Sequence, residues 1–103
     1  ADQNRIKKAI QNYERTLAIN PKHWKALNNL AEAHAQQGDP ETAARRCRQA
    51  LALNPGYMKA HYNLGVALTA QGAYDEAIAE FQVALQLNPQ SAETHNYWGI
   101  ALA

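Results

Sequence analysis

The sequence predicts an all-α fold, a solenoid of antiparallel helix pairs. Two observations predict it. An Asn-Pro pair recurs as Asn20-Pro21, Asn54-Pro55 and Asn88-Pro89, with 34 residues between successive pairs. Residues 24–57 and 58–91, aligned in that register, are identical at 13 of 34 positions, most of them small or apolar. A fixed period of this size marks a repeat array, in which each unit is one supersecondary element stacked on its neighbours. The shared positions, such as Ala26/Ala60, Leu30/Leu64, Ala33/Ala67, Ala43/Ala77, Ala50/Ala84 and Leu51/Leu85, fall at spacings of three and four. That spacing is the mark of helices with one buried stripe.

Taken in order, the chain opens with a half-unit, residues 1–23. Its helix is expected over about 5–19, with Ile6, Ile10, Tyr13 and Leu17 as its apolar stripe. A full unit follows over 24–57. Its two helices are joined by the turn Gly38-Asp39-Pro40-Glu41, where Asp39 fits an N-cap and Pro40 the first helical position. The second full unit spans 58–91. Ala60, Leu64, Gly65, Ala67 and Leu68 give its first helix an apolar face, and Gly72 supplies a left-handed stop. Ala77, Ile78, Phe81, Ala84 and Leu85 line its second helix, which Pro89 ends while pushing Asn88 out of helical conformation. Gly65 and Ala77 are expected to let the pair approach closely. Ser91 reads as the N-cap of a last helix in a closing half-unit, 92–103. Short connections make the whole array one domain, 1–103.

These residues closely resemble the tetratricopeptide repeat family. The family pattern is met in 58–91 by His61, Leu64, Gly65, Leu68, Ala77, Phe81, Ala84 and Pro89. In 24–57 it is met by Leu27, Leu30, Ala31, His34, Ala43, Cys47, Ala50 and Pro55. The resemblance covers essentially the whole chain and implies a right-handed superhelical array of antiparallel helix pairs. Two departures stand out. Cys47 takes the aromatic wedge position, so looser packing is expected there. His34 and His61 take positions that are usually apolar or aromatic, and aromatic-like packing is expected of them.

Composition narrows the function. A formal net charge of +1 gives no field that would draw nucleic acid or an anionic membrane. No run approaches the roughly 18 apolar residues of a membrane span. The first residues, ADQNRIKK, hold no apolar signal region, and they lack Met, as in a processed chain or excised fragment. The chain is expected to be soluble. Its compartment is left open by a single cysteine, with the cytoplasm favoured.

Catalysis is not expected. The one serine is Ser91, no Gly-rich phosphate loop is present, and no nucleophile stands at a working spacing from a base. His61 and His95 share a repeat position on adjacent helices, but no third ligand accompanies them, so neither a metal nor a cofactor is expected. Arg45, Arg46 and Arg48 on one outer helix, and Arg5, Lys7 and Lys8 on another, read as solvated faces diluted by Glu41, Asp75, Glu76 and Glu80.

The family resemblance implies a different site, a concave groove lined by the inner helices. Its candidates are Lys25, Asn28, Asn29, Glu32, Ala35 and Gln36 on one helix, then Lys59, Tyr62, Asn63, Val66, Thr69 and Ala70 on the next. Glu93, Asn96, Tyr97, Ile100 and Ala103 follow on the third. Asn29 and Asn63 could serve an extended peptide backbone, and Tyr62, Val66, Tyr97 and Ile100 an apolar strip. Some members grip a C-terminal carboxylate. The corresponding residues here are Asn28, Glu32, Asn63, Glu93 and Tyr97, and only Asn63 fits. The expected role is a scaffold that binds another protein or peptide.

A rival role is a building block that stacks head to tail. Ala1 and Ala103 share one repeat phase, so each end holds a half-unit that the other end lacks. The exposed stripes would be Ile6, Ile10, Tyr13 and Leu17 at one end and Trp98, Ile100 and Leu102 at the other. A third role is a substrate-recruiting segment of a larger enzyme.

Overall fold

The computed structural model describes residues 3–91 together with Thr94, His95 and Gly99. Among these, the chain forms five helices and no strands: α1 (Gln3–Ile19), α2 (Trp24–Gln36), α3 (Pro40–Leu53), α4 (Met58–Ala70) and α5 (Tyr74–Leu87). The repeat period sets every boundary. At each Asn-Pro, the Asn N–H closes the last helical turn, donating to Thr16, Ala50 or Ala84 carbonyl at 2.8 Å. The same Asn carbonyl then accepts from the residue three positions on: His23, Tyr57 or Ser91. This is a turn with Pro at its second position, where the fixed ring φ suits it. Asn54 and Asn88 are extended, with φ of −141° and −146°, as the following Pro requires.

Within each unit the turn is different. Gly38 and Gly72 both sit at φ +79°, a region that L side chains rarely enter. After Gly38, Asp39 caps α3: its Oδ1 accepts from the Thr42 N–H at 3.2 Å, and Pro40 stands in the first turn. The Thr42 side chain and this backbone hydrogen bond favour the charged carboxylate and hold the Asp39 pKa below its ordinary value. In the next unit Ala73 replaces the capping Asp, and α5 starts with no side-chain cap. Ser91 repeats the cap further on, its Oγ accepting from the Thr94 N–H at 3.2 Å.

The helices pack as antiparallel neighbours, α2 with α3 and α4 with α5, and α1–α2 and α3–α4 join the units. The inner helices α2 and α4 also touch. Among the described elements the outer helices α1, α3 and α5 do not touch one another. Contact on one side and none on the other curves the array, with α2 and α4 on the inside.

One core runs through both units: Ala31, Ala43, Ala44 and Cys47 from the first, and Leu64, Ala67, Leu68, Ala77 and Phe81 from the second. Its tightest point is Gly65. A Cβ built there would stand 2.5 Å from Phe81 Cε1, so the Phe81 ring occupies the space that any side chain would need. The equivalent pair in the preceding unit is Ala31 and Cys47, both fully buried. The larger residue on α2 faces the smaller wedge on α3, so the two pairs trade volume across the repeat. The extra methyl of Ala31 returns only part of the volume that Cys47 gives up.

Two sequence expectations are corrected. His61 does not act as an aromatic-like packing residue. Its Nδ1 lies 2.8 Å from Glu80 Oε1 on α5, and its Nε2 lies 2.7 Å from the Pro55 carbonyl. Both partners are acceptors, and the ring between them ties α4 to α5 and to the loop before it. His95 repeats half of this, with Nε2 3.1 Å from the Pro89 carbonyl. The N-terminal stripe is also not open. Ile6 is only 6% exposed, Ile10, Tyr13 and Leu17 are half-buried, and Leu17 packs on Leu27, Ala50 and Ala60. The reason is that an outer helix packs against the inner helix that follows it, which the end-stripe expectation overlooked. Among the described residues, the large apolar ones left in solvent are instead Ile19 (88% exposed), Leu53, Leu87 and Tyr74, the first three at one repeat position.

Two outcomes test this packing. Gly65→Ala should cost about 1–3 kcal/mol by overpacking against Phe81. Adding Phe81→Cys, which copies the Ala31/Cys47 pair, should then cost less than the two single losses summed, measured as a double-mutant cycle of thermal melts. Burial, reinforced by Glu32 and Glu80, pushes the Cys47 thiol up to about 12. At pH 8 iodoacetamide should therefore alkylate the folded protein about 10²-fold or more slowly than the urea-unfolded chain.

Candidate functional site: the inner-helix cleft

Where α2 and α4 run side by side, a cleft of about 420 Å³ opens on the concave face. Ala31, Glu32, Ala35 and Gln36 of α2 form one wall, and Tyr62, Asn63 and Val66 of α4 the other. The helix period explains the selection: 32, 35 and 36 share one face of α2, as 62, 63 and 66 do on α4. Tyr62 and Val66 are half-buried and rest on the common core, and the Tyr62 ring lies 6.3 Å from that of Phe81. The apolar wall is thus held from behind by the same wedge that closes α4 on α5. A second hollow of about 280 Å³ adjoins it, lined by Glu32, Met58, Lys59, Tyr62, Asn63 and Ser91. The two share Glu32, Tyr62 and Asn63.

A small polar network fixes the floor. Asn63 Nδ2 donates to Asn28 Oδ1 at 2.8 Å and to Glu32 Oε1 at 3.3 Å. A carboxylate only accepts, so Glu32 sets the orientation of the Asn63 amide. Asn28 is 1% exposed, and its Nδ2 has no partner. It spends its carbonyl joining the two inner helices.

The sequence-predicted groove residues therefore separate. Glu32, Tyr62, Asn63 and Val66 come together in the main cleft, with Ala35 and Gln36, and Lys59 borders the adjoining hollow. Asn28 is buried beneath them, and Asn29 is half-buried outside both linings. Lys25 belongs to a third hollow with Asn20, Lys22, His23 and Trp24, its Nζ 5.6 Å from the Trp24 ring centroid. Asn96, Tyr97 and Ile100, and the end residues Trp98 and Leu102, lie outside the described residues. Ala31, Met58 and Ser91 were missed as lining residues. Ala31 and Met58 carry no polar signal, and Ser91 was absorbed by its role as a cap. Among the described residues, no group of three or more His, Cys, Asp or Glu converges as metal ligands would. No helix among them is long and apolar enough to cross a membrane.

The family model for the tetratricopeptide repeat matches residues 1–57 and again 34–92. The chain belongs to the tetratricopeptide repeat family. Solved tetratricopeptide domains share its shape. The first such domain of Spaghetti (RPAP3), bound to the HSP90 peptide SRMEEVD, superposes with a TM-score of 0.93 at 27% identity, over 97% of this chain and 79% of that one. The second domain of human RPAP3, in complex with the HSP70 peptide SGPTIEEVD, gives 0.91 at 27% identity, over 97% and 83%. A Thermobaculum terrenum O-GlcNAc transferase mutant gives 0.91 at 33% identity, over 97% of this chain and 19% of that protein. No curated protein matches the sequence.

The amide network makes a direct prediction. Asn63→Ala strips the buried Asn28 carbonyl of its donor and should cost about 1–3 kcal/mol. Adding Asn28→Leu, which removes the stranded polar group, should restore most of that loss in urea denaturation.

Proposed function

We propose that this protein is a non-catalytic interaction module that holds an extended segment of a partner protein along the cleft between α2 and α4. The observation that carries this reading is the cleft itself: concave, half apolar and half polar, and backed by a rigid core rather than a loop. Such a surface offers Tyr62 and Val66 as anchors and a few polar groups for orientation. The two RPAP3 domains, with their chaperone peptides bound, support peptide capture by this fold.

The ligand is not an acidic C-terminal tail of the kind those peptides carry. Glu32 stands in the cleft wall, and an approaching carboxylate would be repelled there. The likeness to the O-GlcNAc transferase supports substrate recruitment for an enzyme as a special case of the same capture. Head-to-tail stacking is the weaker reading, because the N-terminal stripe is covered by α2.

Ala35 is exposed on the cleft wall. Ala35→Trp should fill the cleft without unfolding the array and weaken partner capture about tenfold or more, and Tyr62→Ala should do the same. Binding measured by calorimetry with a captured partner segment checks this. Binding that survives both changes but fails on replacing Arg45, Arg46 and Arg48 would move the site to the outer face of α3.

A further inference from the structure

The cleft has a definite electrostatic sense. Among the described residues seven line it, and Glu32 is the one charged residue among these. The nearest amide donor, that of Asn63, is already spent. Asn63 gives both amide hydrogens to the chain itself, one to Asn28 and one to Glu32, so it has only its carbonyl oxygen left to offer. Asn28 lies out of reach beneath the floor. Lys59, the cation bordering the adjoining hollow, stands one helical turn before Asn63 and seven residues, about 10 Å along α4, before Val66. The main cleft therefore presents the Glu32 carboxylate and the Gln36 amide, which both donates and accepts, beside apolar walls from Ala35, Tyr62 and Val66.

We infer that this cleft is a subsite for a lysine or arginine side chain of an extended partner segment, its charged head against Glu32 and Asn63 Oδ1 and its methylene stem against Tyr62 and Val66. This deepens the groove reading above and rests on it. The chemistry matches at three points. A long cationic side chain carries an apolar stem under a donor-only head, which suits a cleft that is half apolar and accepts hydrogen bonds. A guanidinium or ammonium stem packs on an aromatic ring at little cost. Glu32 is already oriented by Asn63, so pairing with it requires little further ordering. The adjoining hollow, with Lys59 on its rim, takes the acceptor side of the same segment, so the groove has a direction.

A randomised library of end-blocked octapeptides tests the subsite on the full chain. Selections are run against the native sequence, Glu32→Gln, Glu32→Lys and the cleft-blocked Ala35→Trp, with each variant's fold checked by far-UV circular dichroism. The expected result is enrichment of Lys or Arg at one position by the native chain. Glu32→Gln keeps the acceptor for Asn63 and should bind the selected peptides about two- to fivefold more weakly, a loss that disappears at high salt. Glu32→Lys should reverse the preference toward Asp or Glu. Peptides that bind with no basic preference, or with an acidic one, and that are lost on Ala35→Trp would overturn the cationic subsite and leave the groove reading intact. No capture beyond that of Ala35→Trp would overturn both.

Discussion

The approach of α4 to α5 at Gly65 is the constraint on which the rest of the molecule depends. The Phe81 ring fills the volume that a Cβ on residue 65 would need. That contact sets how deeply the two helices interlock. It also supports Tyr62, and through Tyr62 the apolar wall of the cleft. In the neighbouring unit the same two positions hold a larger residue and a smaller wedge, Ala31 and Cys47, both buried. The extra methyl returns only part of the volume that the smaller wedge gives up. The cleft is therefore a consequence of core packing. It is the concavity that remains once the inner helices are brought together and the outer ones are held apart.

Polar contacts then decide what the concavity can bind. The pairing of Asn63 with Asn28 and Glu32 joins the two inner helices, and it also uses up the donors of Asn63. The His61 clasp does a related job at the back, joining α4 to Glu80 of α5 and to the loop at Pro55. In both places a polar side chain at a half-buried position spends its hydrogen bonds on the array. What remains for a partner in the cleft is the Glu32 carboxylate, the Gln36 amide and apolar walls.

The fold was legible in the sequence because a 34-residue period constrains helix ends, turns and stripes at once. Asn-Pro, Gly38, Gly72, Asp39 and Ser91 all do locally what the repeat register requires of them. The cleft was legible in part. Placing Glu32, Tyr62, Asn63 and Val66 on the inner face needed only helical geometry and the family resemblance. That Asn28 turns under the floor, one residue from Asn29, depends on the crossing of α2 and α4, which no single helix specifies. His61 was misread for a similar reason. Glu80 is 19 residues away, and it becomes a neighbour only when the pair has closed. The end stripe was misread because the two faces of an outer helix were counted as one.

Among the described helices, each touches the next along the chain, and the only contact between non-successive ones is that of α2 with α4. Such a body behaves like a leaf spring hinged along one edge. Bending it changes the separation of the outer leaves freely, and it strains only the inner seam where Asn28 meets Asn63. The curvature of the array and the width of its cleft are thus one mechanical variable, so a segment that draws the inner helices together also shortens the whole coil.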